Sequence, residues 1–332
     1  MKNIKELIGQ LFIVGFKGET PPSSFLNFIS EEKIGGVILF KDNCSSHQQV
    51  QLNVKAIHSA ADTYQPFIAV DQEGGRVCRI LGAPAEIASA MAYAEKLGIE
   101  RFAEDYSRSM LYLESLGINV NLAPVADIYT NENNSCLDSR CFGRTAEEVI
   151  PFIKTAVTES NKAHILSCLK HFPGLGDATI DPHEATTSSD LNESTWENRE
   201  RKVFAQGIKA GADMIMTTHI KLDQFDNEIV TGSYPIIERF IRQRLAFNSV
   251  VITDDLQMKG ANSLGDIGER TIKAFNAGHD ILLFGQNSDS AMEAYEHFRG
   301  AYLRGDISDE RITRSLKRIS MLKFKIAKSV LY

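Results

Sequence analysis

The chain of 332 residues has few of the features that mark secreted proteins, fibrous proteins or proteins stabilised by a structural metal ion. It contains 5 cysteines, 9 prolines and a single tryptophan, and none of the cysteines forms a Cys-x-x-Cys pair. An odd number of scattered cysteines argues against a disulfide framework and against a structural zinc site. We therefore expect free thiols in a reducing compartment, which is typical of a cytoplasmic protein.

Long hydrophobic runs are also missing. The first residues are polar and lead into a short apolar stretch, 11–16, that is not followed by a small-residue cleavage site. A membrane span needs about 20 consecutive apolar residues, and a signal peptide needs a cleavage site after its apolar segment. We therefore expect neither a signal peptide nor a membrane anchor.

Basic residues are outnumbered by acidic ones, because the chain has 36 Lys and Arg residues and 43 Asp and Glu residues. Its formal net charge is −7. A nucleic-acid partner is not expected, since such binding depends on a surplus of Lys and Arg against the phosphates. The densest basic stretch, 311–328, falls in a helix predicted over about 308–330. Apolar residues recur along it at helical spacing, so we interpret its basic residues as a solvated helix face.

What the chain does contain is a regular series of short apolar runs separated by longer segments of helical periodicity. Continuous apolar runs of this length are typical of strands that are buried on both faces, and intervening helices supply the crossovers that parallel pairing requires. Eight such units, with no linker between them, predict a single (β/α)₈ TIM-type barrel over residues 1–332 rather than two domains. The predicted strands are 11–16, 37–40, 67–71, 119–124, 166–172, 214–220, 250–254 and 281–285.

The segment between the fifth and sixth predicted strands contains the one long irregular stretch, residues 174–190. A loop of that length inside a compact domain is usually functional or disordered. The segment Ser194-Thr-Trp-Glu197 after it has the pattern of a helix capping box.

Charged and hydrogen-bonding residues follow several of the predicted strands. In a barrel of this kind the active site lies at the carboxyl ends of the strands, and such side chains are costly to bury unless they are paired or used. Their convergence at one end of the barrel predicts an active site. These residues are Asp71, Asp127, Lys170, His171, His219, Asp254 and Asp255.

The sequence lacks the short motifs of several enzyme classes. It has no phosphate-binding Gly-rich loop followed by Lys and Ser or Thr, no dinucleotide-binding Gly-x-Gly-x-x-Gly and no Gly-x-Ser-x-Gly elbow. A barrel metallohydrolase is the remote alternative, because Lys170, His171 and His219 with an Asp could form a metal site. The His-x-His pair expected on an early strand of such enzymes is missing.

Three segments together resemble glycoside hydrolase family 3. They are Lys-His-Phe-Pro-Gly-Leu-Gly-Asp-Ala-Thr-Ile-Asp-Pro-His at 170–183, Asp-Gln-Glu-Gly-Gly-Arg at 71–76 and Thr-Asp-Asp-Leu-Gln-Met at 253–258. The chain is most similar to the single-domain bacterial β-N-acetylglucosaminidases (β-hexosaminidases) of peptidoglycan recycling, over residues from 11 to about 322. One position departs from the family pattern, since Leu175 stands where a His is common.

The resemblance implies the catalytic residues. Asp254 matches the family's nucleophile, a carboxylate that forms a covalent glycosyl-enzyme, although Asp255 is its neighbouring competitor. His183 matches an acid/base histidine held by Asp181, both on the long loop. An imidazole with an ordinary pKa of about 6.5 can donate and accept a proton near neutral pH, and a partner carboxylate orients it.

The resemblance also implies the residues that bind the sugar, and no metal or organic cofactor. Donor-rich Arg and Lys side chains suit hydroxyl groups. Asp127 and His219 match supporting positions, and Met258 either packs against the N-acetyl methyl group or belongs to the core. The substrate-binding residues are Asp71, Arg79, Arg140, Lys170 and His171.

The expected function is that of a retaining β-N-acetylglucosaminidase that removes terminal GlcNAc from β-1,4-linked (anhydro)MurNAc muropeptides. A β-glucosidase or xylosidase of the same family is an alternative, although those chains usually carry a further domain for which this length leaves no room. A GlcNAc phosphorylase is another, since a histidine acid/base repels phosphate less than a carboxylate does.

Overall fold

Eight parallel strands form the barrel in the computed structural model of the chain, which describes residues 4–62, 64–178 and 187–329. The barrel strands are hydrogen-bonded in the order β10-β1-β2-β3-β4-β5-β7-β9, and a bridge between Ile252 and Ile281 joins the two outer strands. The predicted (β/α)₈ fold is confirmed. These strands are β1 Phe12–Val14, β2 Gly36–Leu39, β3 Phe67–Val70, β4 Val120–Asn121, β5 Leu166–Phe172, β7 Met214–Thr217, β9 Val250–Thr253 and β10 Leu282–Phe284.

Helices follow the strands and cover the outside of the barrel. Several begin at side-chain caps, such as the capping box in which Thr145 and Glu148 bond each other's backbone amides at the start of α5. The helices are α1 Ser23–Glu31, α2 His47–Ala61, α3 Ala90–Ala92, α4 Gly98–Ser115, α5 Ala146–Lys162, α6 Glu193–Asn198, α7 Glu200–Lys209, α8 Tyr234–Ile236, α9 Ile267–Ala277, α10 Ser288–Arg304 and α11 Asp309–Ser329.

The core lies both inside the barrel and between its strands and helices. Every residue of β1, β3 and β9 is buried, as expected for parallel strands with both faces covered. Aromatic rings fill the layer under α10, where Phe12 stacks on Phe284 at 5.7 Å and meets Phe298 edge-on at 5.5 Å. The packing holds the strand ends, and hence any site built on them, in a fixed frame.

Most of the observed strands are shorter than the apolar runs that predict them, and the physical reason is visible in two of them. The run 214–220 divides after Thr217, whose carbonyl accepts the amide of Asp254, and the chain then forms β8, Ile220–Lys221, outside the barrel. Strand β8 pairs with β6, Thr187–Ser188, inside the stretch 174–190 that was predicted to be irregular. The run 119–124 keeps regular pairing only over Val120–Asn121, and Pro124 has no amide proton to continue it.

The predicted capping box at 194–197 is wrong. Helix α6 begins at Glu193, and the side chain of Asn192 accepts the amide of Thr195 at 2.9 Å. Asn192 is therefore the N-cap, because its side-chain oxygen satisfies an amide of the first turn that has no partner within the helix.

The prediction of a solvated basic face on the C-terminal helix is also wrong in part. Helix α11 crosses the amino-terminal end of the barrel, where Arg318 Nη1 lies 3.0 Å from Asp280 Oδ1 and Lys325 Nζ lies 2.6 Å from Asp213 Oδ1. Arg311 reaches the carbonyl of Phe275 at 2.9 Å. Arg318 and Lys325 thus satisfy carboxylates that precede strands, and Arg311 satisfies a carbonyl of α9, so these side chains attach α11 to the barrel.

All five cysteines are free, as predicted, and all five are buried. Within the described ranges, no helix has the length and apolar character that crossing a membrane requires.

The carboxylate of Asp280 is fully buried and accepts from Arg242 Nη2 at 2.7 Å and Ser315 Oγ at 2.6 Å in addition to Arg318. We expect Asp280→Asn to lower the free energy of unfolding by about 3 kcal/mol, since it leaves buried guanidinium groups without their counter-charge. Urea titration measures the loss. The exposed pair Arg304 and Asp306, 3.1 Å apart, supplies the control Asp306→Asn, for which we expect less than about 1 kcal/mol. Equal losses in the two variants would contradict the prediction.

Candidate active site

A cavity of about 220 Å³ opens at the carboxyl ends of the barrel strands. Pockets for drug-sized ligands run to roughly 300–1,000 Å³, so this cavity suits one small ring rather than a chain. The predicted nucleophile and all five predicted substrate-binding residues line it, whereas the predicted supporting residues Asp127 and His219 do not. The six that line it are Asp71, Arg79, Arg140, Lys170, His171 and Asp254, and Glu73, Asp255 and Met258 line it with them. The predicted acid/base pair, Asp181 and His183, lies outside the described residues.

The barrel topology brings these side chains together. Asp71 follows β3 directly, Lys170 lies near the end of β5, and Asp254 follows β9 directly. Because the strands are parallel, their carboxyl ends meet at the same mouth although these three residues are far apart in sequence. The site is therefore built on rigid strand ends rather than on loops alone.

An alternating row of charges crosses the cavity wall. Lys170 Nζ lies 2.7 Å from Asp71 Oδ1 and 2.6 Å from Glu73 Oε1. Arg140 grips Glu73 through two parallel hydrogen bonds of 2.8 Å, from Nε and from Nη2. At the other end of the row, Arg79 Nη2 lies 3.5 Å from Asp71 Oδ2. The two carboxylates are thus bracketed by three cations.

This pairing decides the charge of each buried group. Burial favours the neutral form of Glu73, but Arg140 and Lys170 outweigh it and hold the pKa of Glu73 well below its usual range. Burial also works against the charged form of Lys170, yet Asp71 and Glu73 raise the pKa of Lys170 above its ordinary value. Lys170 is 3% exposed and Glu73 is 8% exposed, so both charges are kept almost entirely out of water at neutral pH.

Asp127 orients His171. The carboxylate of Asp127, which is fully buried, accepts from His171 Nδ1 at 2.7 Å and from the backbone amide of His171 at 3.2 Å. The other ring nitrogen, Nε2, then lies 3.4 Å from Arg140 Nη2 at the cavity. Asp127 also accepts the backbone amide of Leu175 at 2.7 Å. That contact uses the main chain, so it does not depend on which side chain stands at position 175.

The two neighbouring aspartates differ in their surroundings. Asp255 Oδ1 accepts the backbone amides of Gln257 and Gly285, each at 2.9 Å, which ties this carboxylate to the end of β10. Asp254 Oδ1 accepts the amide of Asp255 at 2.8 Å. The carboxylate of Asp255 thus links the ends of β9 and β10. The carboxylate of Asp254 is oriented by the backbone amide of the next residue, at the edge of the cavity.

His219 is placed behind the site rather than in it. His219 Nε2 lies 2.9 Å from the carbonyl of Asp255, and His219 Nδ1 lies 2.7 Å from Thr231 Oγ1. This imidazole therefore supports the turn that follows β9. The ligand set of the metallohydrolase alternative is not assembled, since His219 does not line the cavity that Lys170 and His171 share.

Glu73 is a site residue that the sequence reasoning missed. It lies two residues beyond Asp71, past the end of β3, within the segment 71–76 that carries the family resemblance. Its place in that segment was the available signal. Its partner Arg140, however, is 67 residues away in sequence, so no local pattern reveals the pair.

The sequence is similar to a well-represented group of proteins. It is 33% identical over 337 residues to beta-hexosaminidase A of Pseudoalteromonas piscicida, a match that covers 93% of this chain and 56% of that protein. It is 27% identical over 293 residues to the beta-hexosaminidase of Haemophilus influenzae, covering 86% of this chain and 82% of the relative. The chain thus spans little more than half of the first relative and most of the second.

The fold is similar to solved structures. A glycoside hydrolase family 3 β-N-acetylglucosaminidase from Paenibacillus sp. str. FPU-7 superposes with a TM-score of 0.94 and 31% identity, covering 98% of this chain and 63% of that chain. The β-N-acetylhexosaminidase of Beutenbergia cavernae has a TM-score of 0.89 and 25% identity, covering 97% of this chain and 99% of the other. The family model for the glycosyl hydrolase family 3 N-terminal domain matches residues 3–322. The chain therefore belongs to glycosyl hydrolase family 3.

Proposed function

We propose that this protein is a retaining β-N-acetylglucosaminidase that removes terminal GlcNAc from β-1,4-linked (anhydro)MurNAc muropeptides. The observation that carries the proposal is the position of Asp254, whose carboxylate lines the same small cavity as the charged row from Arg79 to Arg140. The names of the relatives, hexosaminidase and β-N-acetylglucosaminidase, support the choice of sugar. The muropeptide part rests on the family resemblance of the sequence.

The charged row suits the binding of sugar hydroxyl groups. Lys170, Arg140 and Arg79 supply several N–H donors, and the carboxylate of Asp71 supplies acceptors. Because Glu73 and Asp127 hold these donors and His171 in place before a ligand arrives, little side-chain freedom is lost on binding. The cavity is of a size for one ring, which favours removal of a terminal sugar.

The chemistry proposed for Asp254 is nucleophilic. Its carboxylate oxygen forms a bond to the anomeric carbon while the bond from that carbon to the leaving oxygen breaks, and His183 donates a proton to that oxygen. Water then attacks the same carbon, returns a proton to His183 and releases Asp254, so that two inversions give retention. The role of Asp181 and His183 in these steps is taken from the family resemblance.

Met258 is the proposed contact for the N-acetyl methyl group. It lines the cavity beside Asp254 and Asp255 and is 8% exposed, so its thioether is close to the site yet nearly covered by other side chains. A flexible, polarizable side chain adapts well to a small apolar group.

We also propose a cytoplasmic location, which the five free cysteines support.

Asp254→Asn is expected to lower kcat/KM on p-nitrophenyl GlcNAc by roughly 10⁴-fold or more, because the amide is a far poorer nucleophile than the carboxylate. Steady-state kinetics measure the loss. Asp289→Asn, an exposed change on α10, is the control and should leave activity within about 2-fold of wild type. An Asp254→Asn variant with a tenth of the wild-type activity would rule out this residue as the nucleophile.

The substrate assignment predicts faster cleavage of p-nitrophenyl GlcNAc than of p-nitrophenyl glucoside, measured as the ratio of the two kcat/KM values. Faster cleavage of the glucoside would overturn the choice of sugar.

Product analysis with and without added phosphate tests whether the reaction is hydrolysis or phosphorolysis. Free GlcNAc in both cases is expected, and a sugar phosphate as the main product would identify a phosphorylase instead.

Glu73→Gln is expected to lower the free energy of unfolding by about 3 kcal/mol, since it removes the counter-charge between Arg140 and Lys170 while keeping the shape of the side chain. We also expect a loss in kcat/KM of about 10-fold or more, because the two donors are no longer held. Urea titration and kinetics measure the two effects. The exposed pair of Glu132 and Arg144, 3.1 Å apart, provides Glu132→Gln as the control, which should change neither. A Glu73→Gln variant as active as this control would contradict the role given to Glu73.

A further inference from the structure

We propose that Arg199 is a positioning residue for the acid/base step, because it clamps the stem from which the chain continues toward Asp181 and His183. This stem consists of residues 174–178 and follows β5. The inference rests on the proposed function, in which the pair Asp181 and His183 transfers the proton.

One side of the stem is fixed by the segment that follows β4. Asn134 Nδ2 donates to the carbonyl of Leu175 at 2.8 Å, and Asn131 Nδ2 donates to the carbonyl of Ala178 at 3.1 Å. A Cβ atom built on Gly176 would lie 2.0 Å from the carbonyl oxygen of Ile128, so the two backbones are in direct contact there. These contacts are neutral hydrogen bonds and backbone packing.

Arg199 adds the charged contact from a different element, the junction between α6 and α7. Its Nη2 bonds to Asp177 Oδ2, while Asp177 Oδ1 accepts from Thr130 Oγ1. Its Nε bonds to Glu200 Oε1 at the start of α7. Arg199 thus links a carboxylate of the stem to a carboxylate of the barrel wall, and its side chain is only 25% exposed.

Glu200 explains why this junction holds the stem so closely. It is 2% exposed, and a Cβ atom built on Gly174 would lie 2.5 Å from its Cγ, so the stem backbone packs directly on it. Burial raises the pKa of Glu200 to about 7, although Arg199 opposes the shift. Without Arg199 the carboxyl group would lose the cation that favours its charged form at this packed position.

The far end of the loop is fixed as well. Thr187 and Ser188 pair with Ile220 and Lys221, and the amide of Ser189 donates to the carbonyl of Lys221 at 3.1 Å. Only residues 179–186, which contain Asp181 and His183, lie between the two fixed ends. Loss of Arg199 therefore removes a charged contact that holds the stem, which directly precedes this segment in sequence, and a displacement of about 1 Å at a reacting group can cost about 10²-fold in rate.

The test compares Arg199→Gln with substrates that differ in their need for an acid. A 2,4-dinitrophenolate leaving group departs without a proton, whereas the glycosidic oxygen of a disaccharide must be protonated as it leaves. We expect Arg199→Gln to lower kcat/KM about 10²-fold on a GlcNAc disaccharide and to leave kcat/KM on 2,4-dinitrophenyl GlcNAc within about 3-fold of wild type.

A second measurement tests the general-base step, in which water attacks the glycosyl-enzyme. With the dinitrophenyl substrate, kcat of Arg199→Gln should fall, since water attack on the glycosyl-enzyme still needs a base, and azide should restore kcat with formation of a β-glycosyl azide. Arg199→Lys, which retains the charge, should recover part of the disaccharide activity. Arg201→Gln, two residues further on, is the matched control, because Arg201 pairs with Glu197 of α6 at 3.4 Å rather than with Asp177 of the stem.

Equal losses on both substrates, or no loss on either, would overturn the positioning role of Arg199. An equal loss together with a lower melting temperature would assign Arg199 to fold stability instead. The proposed function fails differently, since wild-type enzyme would then cleave neither GlcNAc substrate.

Discussion

The site depends on one buried carboxylate, Glu73, which lies between Arg140 and Lys170. Two cations held this close would repel each other and resist burial, and either one without its partner would be costly in an apolar interior. With Glu73 in place both cations stay charged, and Asp71 adds a second acceptor beside Lys170. A barrel mouth that is otherwise made of packed strand ends thereby presents fixed hydrogen-bond donors to the cavity, where we propose that a sugar binds.

The opposite end of the barrel uses the same kind of contact for a different purpose. Asp280 and Asp213 lie at the starts of strands, and helix α11 covers them with Arg318 and Lys325. Those cations are satisfied by carboxylates and backbone carbonyls and do not line the cavity at the mouth. The fold thus places these ion pairs at the amino-terminal ends of the strands and the proposed active site at their carboxyl ends, as the (β/α)₈ architecture generally does.

Much of this arrangement could be predicted from the sequence, because it depends on local patterns. Apolar runs that end in Asp71, Lys170 or Asp254 indicate both a strand and the end at which its polar residue lies. The pairing of Glu73 with Arg140 could not be predicted in this way, since it arises from packing between distant segments. The ion pairs of the basic residues of α11 could not be predicted either, because their partner Asp280 lies just before β10, far from α11 in sequence. Asn192 shows a finer limit, because the capping pattern at 194–197 indicates a helix start two residues later than the one the backbone adopts.

In the mechanism that we propose, Asp254 becomes covalently bonded to the sugar during the reaction. Incubation with a fluorinated GlcNAc donor that slows breakdown of the intermediate, followed by proteolysis and mass spectrometry, tests it directly. We expect the label on Asp254 in wild-type enzyme, in stoichiometric amount and with matching loss of activity. Label on Asp255 or on any other residue would contradict the account.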